Sequence, residues 1–258
     1  SQQEVYIPLA STANKQGRVV ADNIAGLHTR FDGVQGTTVL QVFDWNIGKT
    51  GLSEQEAQNM GYAVITTLVS GHDAPHYYPL HGTVIIKLTA DRVSGKLLGA
   101  QVSGPGDAIK RLDVLGTAIS FGASLQDIAG LDLGYAPPYG EAIDVAIHAA
   151  NMLENKRAGR AQGISLLELE EQQKRGIPIC YLDIREPYEI QGRPVNKEEV
   201  LPIPAGELRE RFGEVPRDRL VVVLCGLGIR SYDAVCFLRS QGWRNVVYLE
   251  GGMSAWLQ

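Results

Sequence analysis

Cys225-Gly-Leu-Gly-Ile-Arg-Ser231 is the stretch of this sequence whose residue types and spacing best suit chemistry. It follows Leu220-Val-Val-Val-Leu224, an apolar run that predicts a strand covered on both faces, and it precedes a helix expected from Ser231 to Gln241. Open α/β sheets hold ligands at such strand-to-helix turns. Gly226 and Gly228 let the loop curl so that successive backbone N–H groups point at one centre, and the helix N-terminus adds its positive dipole end. Such a cradle stabilises an anion, and the nearest candidate is the thiolate of Cys225. All five histidines (His28, His72, His76, His81, His148) precede residue 150, so chemistry in the second half is expected to work without an imidazole. Arg230 is expected to pair with Asp183 or Glu186, bracing the loop, in preference to binding substrate. Cys180, inside an expected strand, and Cys236, on the expected helix, read as small buried residues. His72, His76 and His81 lie within ten residues, yet their spacing suits neither a metalloprotease helix nor a zinc finger; no metal site is expected, and an interface loop is the better account.

The elements that must position these residues follow from periodicity. An extended opening from Val5 enters a helix near Ser11, Val34 to Phe43 suggests a strand, Ser53-Glu-Gln-Glu56 is a capping box, and Tyr62 to Val69 is a second strand. Gly71 to Leu80 reads as an irregular loop. Thr83–Thr89 and Leu97–Ser103 predict an antiparallel hairpin, and helices are expected over Asp107–Phe121, Ser124–Ala129 and Glu141–Glu154. Asn155 to Gly163 is polar and aperiodic, which marks a domain boundary near Gln162. Beyond it come a capping box at Ser165–Glu168, strands at Ile177–Leu182, Leu220–Leu224 and Asn245–Leu249, and a Gly251-Gly252 turn, the alternating pattern of a small doubly wound parallel sheet.

The 258 residues leave room for two modest domains, and 44% apolar with 21% charged residues is an ordinary globular balance. A net charge of −5 argues against nucleic acid and anionic membrane as main partners. No apolar stretch reaches the ~20 residues of a membrane span, and no signal peptide is evident, so a cytoplasmic protein is expected. Three cysteines do not make a secreted disulfide framework.

Three segments together resemble a rhodanese domain over about 163–258: Leu182-Asp-Ile-Arg-Glu-Pro187, Cys225-x-x-Gly228-x-Arg230-Ser231, and Leu249-Glu-Gly-Gly-Met-Ser-Ala-Trp256. The resemblance implies that Cys225 takes sulfane sulfur from a donor, holds it as a persulfide on the amides from Gly226 to Ser231, and passes it to a thiol acceptor, with Asp183 part of the site. Related phosphatases have a longer loop, so phosphatase activity is disfavoured. With Leu227 and Ile229 uncharged, dianionic thiosulfate should be a poorer donor than persulfides. Gln191-Gly-Arg-Pro194 departs from the family's usual Gly-His-Ile.

The first half resembles the dimerisation domain of pyridine nucleotide-disulfide oxidoreductases, in the branch of coenzyme A-disulfide reductases, NADH oxidases and persulfide reductases. Ile7-Pro-Leu-Ala-Ser-Thr-Ala-Asn-Lys-Gln-Gly-Arg18 is similar to the helix that closes their FAD domain, and Phe43-Asp-x-x-Ile-Gly-Lys-Thr-Gly51 and Tyr135-Ala-Pro-Pro-Tyr139 are similar to the domain that follows. Tyr139 and Val145 depart from the family's Phe and Pro. The resemblance implies an α+β, mainly antiparallel dimerisation domain over 31–155 after a remnant of the FAD-binding domain (1–30), then a linker (156–163) and the rhodanese domain (164–258). It also implies a homodimer in which Tyr77 and Tyr135 reach toward the partner's reducing cysteine. Leu9, Ala10 and Ser11 would contact FAD, with NAD(P)H and coenzyme A as further cofactors of the intact protein. No G-x-G-x-x-G follows a strand here, so the chain is expected to be a C-terminal part that binds none of these alone. A stand-alone sulfurtransferase and a non-catalytic dimerisation module are the alternatives.

Overall fold

The computed structural model of the chain describes residues 6–256; Val5, where the extended opening is expected to start, and Leu257 and Gln258, the last two positions of the rhodanese resemblance, lie outside the described residues. The first unit contains α1 (Ala10–Ile24), β1 (Thr38–Val42), β2 (Trp45–Gly51), α2 (Glu54–Asn59), β3 (Val64–His72), β4 (Thr83–Asp91), β5 (Leu97–Gly104), α3 (Ala108–Ser120), α4 (Leu125–Ala129) and α5 (Val145–Arg157). Its strands lie in the order β1-β2-β5-β4-β3, each neighbouring pair antiparallel. Alternate residues such as Val84, Ile86 and Leu88 are buried with Leu112 and Leu115 of α3 and Ala146 and Leu153 of α5.

The second unit contains β6 (Gly163–Ile164), α6 (Leu166–Lys174), β7 (Ile179–Asp183), α7 (Pro187–Gly192), β8 (Val200–Pro202), α8 (Leu208–Arg211), β9 (Leu220–Leu224), α9 (Ile229–Ser240), β10 (Val246–Leu249) and α10 (Gly252–Ala255). Its sheet runs β6-β10-β9-β7-β8 and every pair is parallel. The apolar run of β9 serves two cores: Val221, Val223 and Cys225 pack with Val235 and Leu238 of α9, while Val222 and Leu224 pack on the other side with Leu169 and Met253. Strand order reverses around β7 and β9, so their C-terminal ends form the crevice of this sheet.

Several elements differ from expectation. The strand expected over Val34–Phe43 begins only at Thr38; Phe43 turns the chain at φ 52° and Trp45–Gly51 pairs back as β2. Glycine hides that second strand, because α3 lies so close that a Cβ on Gly48 would come 2.5 Å from Leu112. α5 starts at Val145 and not Glu141, where Asp144 caps it by accepting from the Ala146 amide at 2.9 Å. β8 and α10 are three and four residues long, too short for periodicity to signal. Among the described residues no helix is long and apolar enough to cross a membrane.

Candidate active site

Cys225 stands one residue beyond β9, opposite the end of β7, where Asp183 pairs in register with Leu224. Its side chain is buried, at 1% exposure for the residue. The backbone N–H of Gly228 donates to Sγ at 3.1 Å and that of Ser231 at 3.3 Å; Sγ also lies 3.4 Å from the Ser231 hydroxyl, which donates to the Gly228 carbonyl at 2.9 Å. α9 begins two residues before the expected Ser231 because Gly228, at φ 99°, serves as its N-cap without any side-chain acceptor. Sulfur fills that place. Sγ accepts from the third helical amide, the bond a capping oxygen usually makes, so the first turn of the helix is completed only by the cysteine.

Carbonyls of the same loop are held from behind. The amides of Met253 and Ser254 in α10 donate to Cys225 O and Gly226 O, each at 2.9 Å. Gly252, at φ 57°, lets that turn approach: a Cβ there would lie 2.6 Å from Gly228 N and 2.7 Å from the Cys225 and Gly226 carbonyl oxygens. The loop amides point at sulfur because the carbonyls are taken up on the opposite side.

Arg230 braces the loop, but its partner is neither Asp183 nor Glu186. Its guanidinium donates bidentately to Glu189, Nη2 to Oε1 at 2.6 Å and Nη1 to Oε2 at 2.8 Å. Asp183 is committed elsewhere: wholly buried, it accepts from Arg185 Nε at 2.9 Å and Nη2 at 2.7 Å. Glu189 sits in the first turn of α7, where it also accepts the Glu186 amide at 2.9 Å. The Arg230 hydrogen bonds hold its carboxyl below the usual carboxylate value near 4.5, against the opposing effect of burial. Sequence reasoning missed Glu189 because it pairs with Arg230 from 41 positions away and belongs to a short helix; the Pro187 that starts the helix was the available signal.

Of the six expected amides from Gly226 to Ser231, those of Gly228 and Ser231 donate to the sulfur. Gly226 takes part through its carbonyl and Arg230 through its bond to Glu189, Leu227 and Ile229 make no hydrogen bond to the sulfur among the described residues, and Asp183 is bonded to Arg185. Tyr77 and Tyr135 lie on loops of the first unit, 66% and 56% exposed, and among the described residues no hydrogen bond joins either to the cysteine loop. His72 and His81 meet edge to face at 5.3 Å, His76 packs on Tyr77, and no group of three or more metal-ligating side chains occurs among the described residues. Although every histidine precedes the second unit, His148 of α5 lines a cleft of about 200 Å³ together with Leu227, Gly228 and Tyr232. Leu9 caps α1 with no side-chain hydrogen bond, and Leu9 and Ser11, but not Ala10, line a cleft of about 840 Å³ against α3. A helix start on such a cleft suits an electron-rich edge of a flavin.

Residues 37–147 match the family described as pyridine nucleotide-disulphide oxidoreductase, dimerisation domain, and residues 165–258 match the rhodanese-like domain. The NAD(P)H sulfur oxidoreductase (CoA-dependent) of Pyrococcus furiosus is 39% identical over 150 residues, which is 58% of this chain and 34% of that protein. The NAD(P)H coenzyme A polysulfide/persulfide reductase of Pyrococcus horikoshii is 40% identical over the same length. Among solved structures, an NAD-dependent persulfide reductase from A. fulgidus superposes with a TM-score of 0.91 at 40% identity, covering 99% of this chain and 45% of that one. The reduced CoADR-RHD of Bacillus anthracis gives 0.86 at 34% identity, with 98% and 45% covered. The chain spans less than half the length of each of these relatives. Two matched regions, each with its own sheet, make the chain a dimerisation domain of the pyridine nucleotide-disulphide oxidoreductase family joined to a rhodanese-like domain.

Proposed function

We propose that this chain works as the dimerisation and rhodanese part of an FAD- and NAD(P)H-dependent coenzyme A-disulfide or persulfide reductase, and that Cys225 carries sulfane sulfur within it. The observation that carries this is the pair of amides, Gly228 and Ser231, converging on one buried sulfur at 3.1 and 3.3 Å. The Cys225 thiolate attacks the outer sulfur of a donor persulfide; the donor S–S bond breaks and its electron pair leaves with the donor thiolate. An acceptor thiolate then attacks the outer sulfur of the Cys225 persulfide, and the pair of the breaking bond returns to Sγ, where the amides receive the charge. Sulfur moves with no net oxidation. FAD, when bound, would pass electrons from NAD(P)H to a disulfide; Leu9, Ala10 and Ser11 are the residues of this chain that would hold it. Tyr77 and Tyr135 are proposed to act across a homodimer, on the strength of the dimerisation-domain match.

The domain limits that go with this reading are 31–155 for dimerisation, 156–163 for the linker and 164–258 for the rhodanese domain, with 1–30 belonging to the FAD side and a cytoplasmic setting for the whole. A stand-alone sulfurtransferase is the second reading, favoured by a cysteine loop whose braces all lie within this chain. The test is sulfur transfer to cyanide by the purified chain and by its Cys225→Ala variant. Activity in the first and loss in the second are expected; equal activity overturns the assignment of Cys225. NADH oxidation by the chain alone would contradict its dependence on sites outside it.

A further inference from the structure

Glu250 precedes the Gly251-Gly252 turn and is almost fully buried, at 2% exposure. One carboxylate oxygen, Oε1, accepts from Lys156 Nζ of α5 at 2.6 Å, and the other, Oε2, accepts the backbone N–H of Leu68 in β3 at 3.1 Å. Lys156 also donates to Thr66 O at 3.0 Å, and Ser70 Oγ donates to Gly251 O at 2.8 Å. The bonds to Glu250 and Gly251 cross from the first unit to the second, while the Lys156–Thr66 bond fixes Lys156 within the first. Space for the carboxylate is reserved by Gly163, whose Cβ would come 2.6 Å from Oε1. Two residues further on, Gly252 closes against the cysteine loop, and the next two amides hold its carbonyls.

We propose that Glu250 is a positioning residue for sulfur transfer: by pairing with Lys156 and accepting the Leu68 amide, it anchors the turn that orients the Cys225 loop to the β3 edge of the first sheet. A buried carboxylate carries a large desolvation cost and keeps its charge only with full pairing. The same turn in an isolated second unit would lack the Lys156, Leu68 and Ser70 contacts, so the loop's geometry depends on the first unit. The inference rests on Cys225 as the sulfur carrier, and its test has one arm independent of activity.

The variants are Glu250→Gln, Lys156→Met, the two combined, and Gly163→Ala, which crowds the carboxylate without touching its charge. The first readout is hydrogen exchange at the amides of Met253, Ser254 and Gly228; the second is thiocyanate formation from glutathione persulfide and cyanide, above the uncatalysed rate, with kcat and KM measured separately. In Glu250→Gln and Gly163→Ala those amides should exchange faster, and kcat should fall about tenfold with KM for the persulfide unchanged, because small misplacements of a reacting atom are costly. The combined variant should show the same reduced kcat as Glu250→Gln and no further loss, since the anchor is absent from both and no unpaired buried charge is left; a return to the parent kcat would overturn the inference. Unchanged exchange in Glu250→Gln, or a rise in KM at constant kcat, overturns the inference. Thiocyanate formation by the parent chain no faster than the uncatalysed rate would instead overturn the role of Cys225, and the exchange arm would still decide whether Glu250 holds the loop.

Discussion

At the residue scale, the sulfur of Cys225 does two jobs with one set of bonds. It accepts the Gly228 and Ser231 amides that any helix start must satisfy, and those same amides receive charge when sulfur leaves. Cys225, its glycines and Arg230 were legible in sequence because a cysteine, a positive-φ glycine and an arginine at fixed offsets have few other uses between a strand and a helix. Glu189 and Glu250 were not, since both act through tertiary neighbours 41 and 94 or more positions away. Glu189→Gln removes the charge of the bidentate brace, and Arg230→Lys removes its planar fork. Each should lower kcat/KM for sulfur transfer about tenfold, as expected when one preorganised support of an anion cradle is loosened. Steady-state rates equal to the parent in both variants would show that the loop stands without the brace. Because the Glu189 carboxyl lies below its ordinary value, it stays ionised as pH falls through the range where free carboxylates take up protons, and the brace is lost only below that.

At the element scale, the Gly251-Gly252 turn is the back wall of the site. A methyl group on Gly252 would meet three backbone atoms of the cysteine loop within 2.7 Å at a φ of 57°. Gly252→Ala should therefore cost roughly 2–5 kcal/mol, combining left-handed strain with overpacking. Denaturant unfolding of the chain measures it, and a loss below about 1 kcal/mol would mean that the turn yields without the loop. Long periodic elements were legible: α3, α5, β4, β5, β9 and α9 all lie within a few residues of where the sequence placed them. Short ones were not. β8 and α10 exist because neighbours supply their partners, Tyr181 to Asp183 for the first and the cysteine loop for the second. β2 was masked by glycines that α3 and β5 require.

At the scale of the whole molecule, an antiparallel sheet unit and a parallel sheet unit meet through polar bonds from β3 and α5, so the sulfur loop of one leans on the other. The fold class and the order of the two units were legible from periodicity and motif. Their contact was not, because nothing in a one-dimensional pattern sets Lys156 against Glu250. Burial is the chief cause holding His72 and His148 of the first unit below their ordinary value of 6.5. The folded state therefore favours the neutral rings while the unfolded chain takes up protons near that value, so stability is lost as pH falls below it. The melting temperature should be lower at about pH 5.5 than at about pH 7.5, and replacing both histidines by asparagine should flatten the dependence; an unchanged slope would assign it to other groups. The most direct measurement on the site is intact mass followed by peptide mapping after the chain is treated with a sulfane-sulfur donor and freed of excess reagent. One added sulfur atom on Cys225, absent from Cys180 and Cys236 and removed by a thiol, is the predicted result. Sulfur found on all three cysteines alike, or on none, would contradict a carrier built around Cys225.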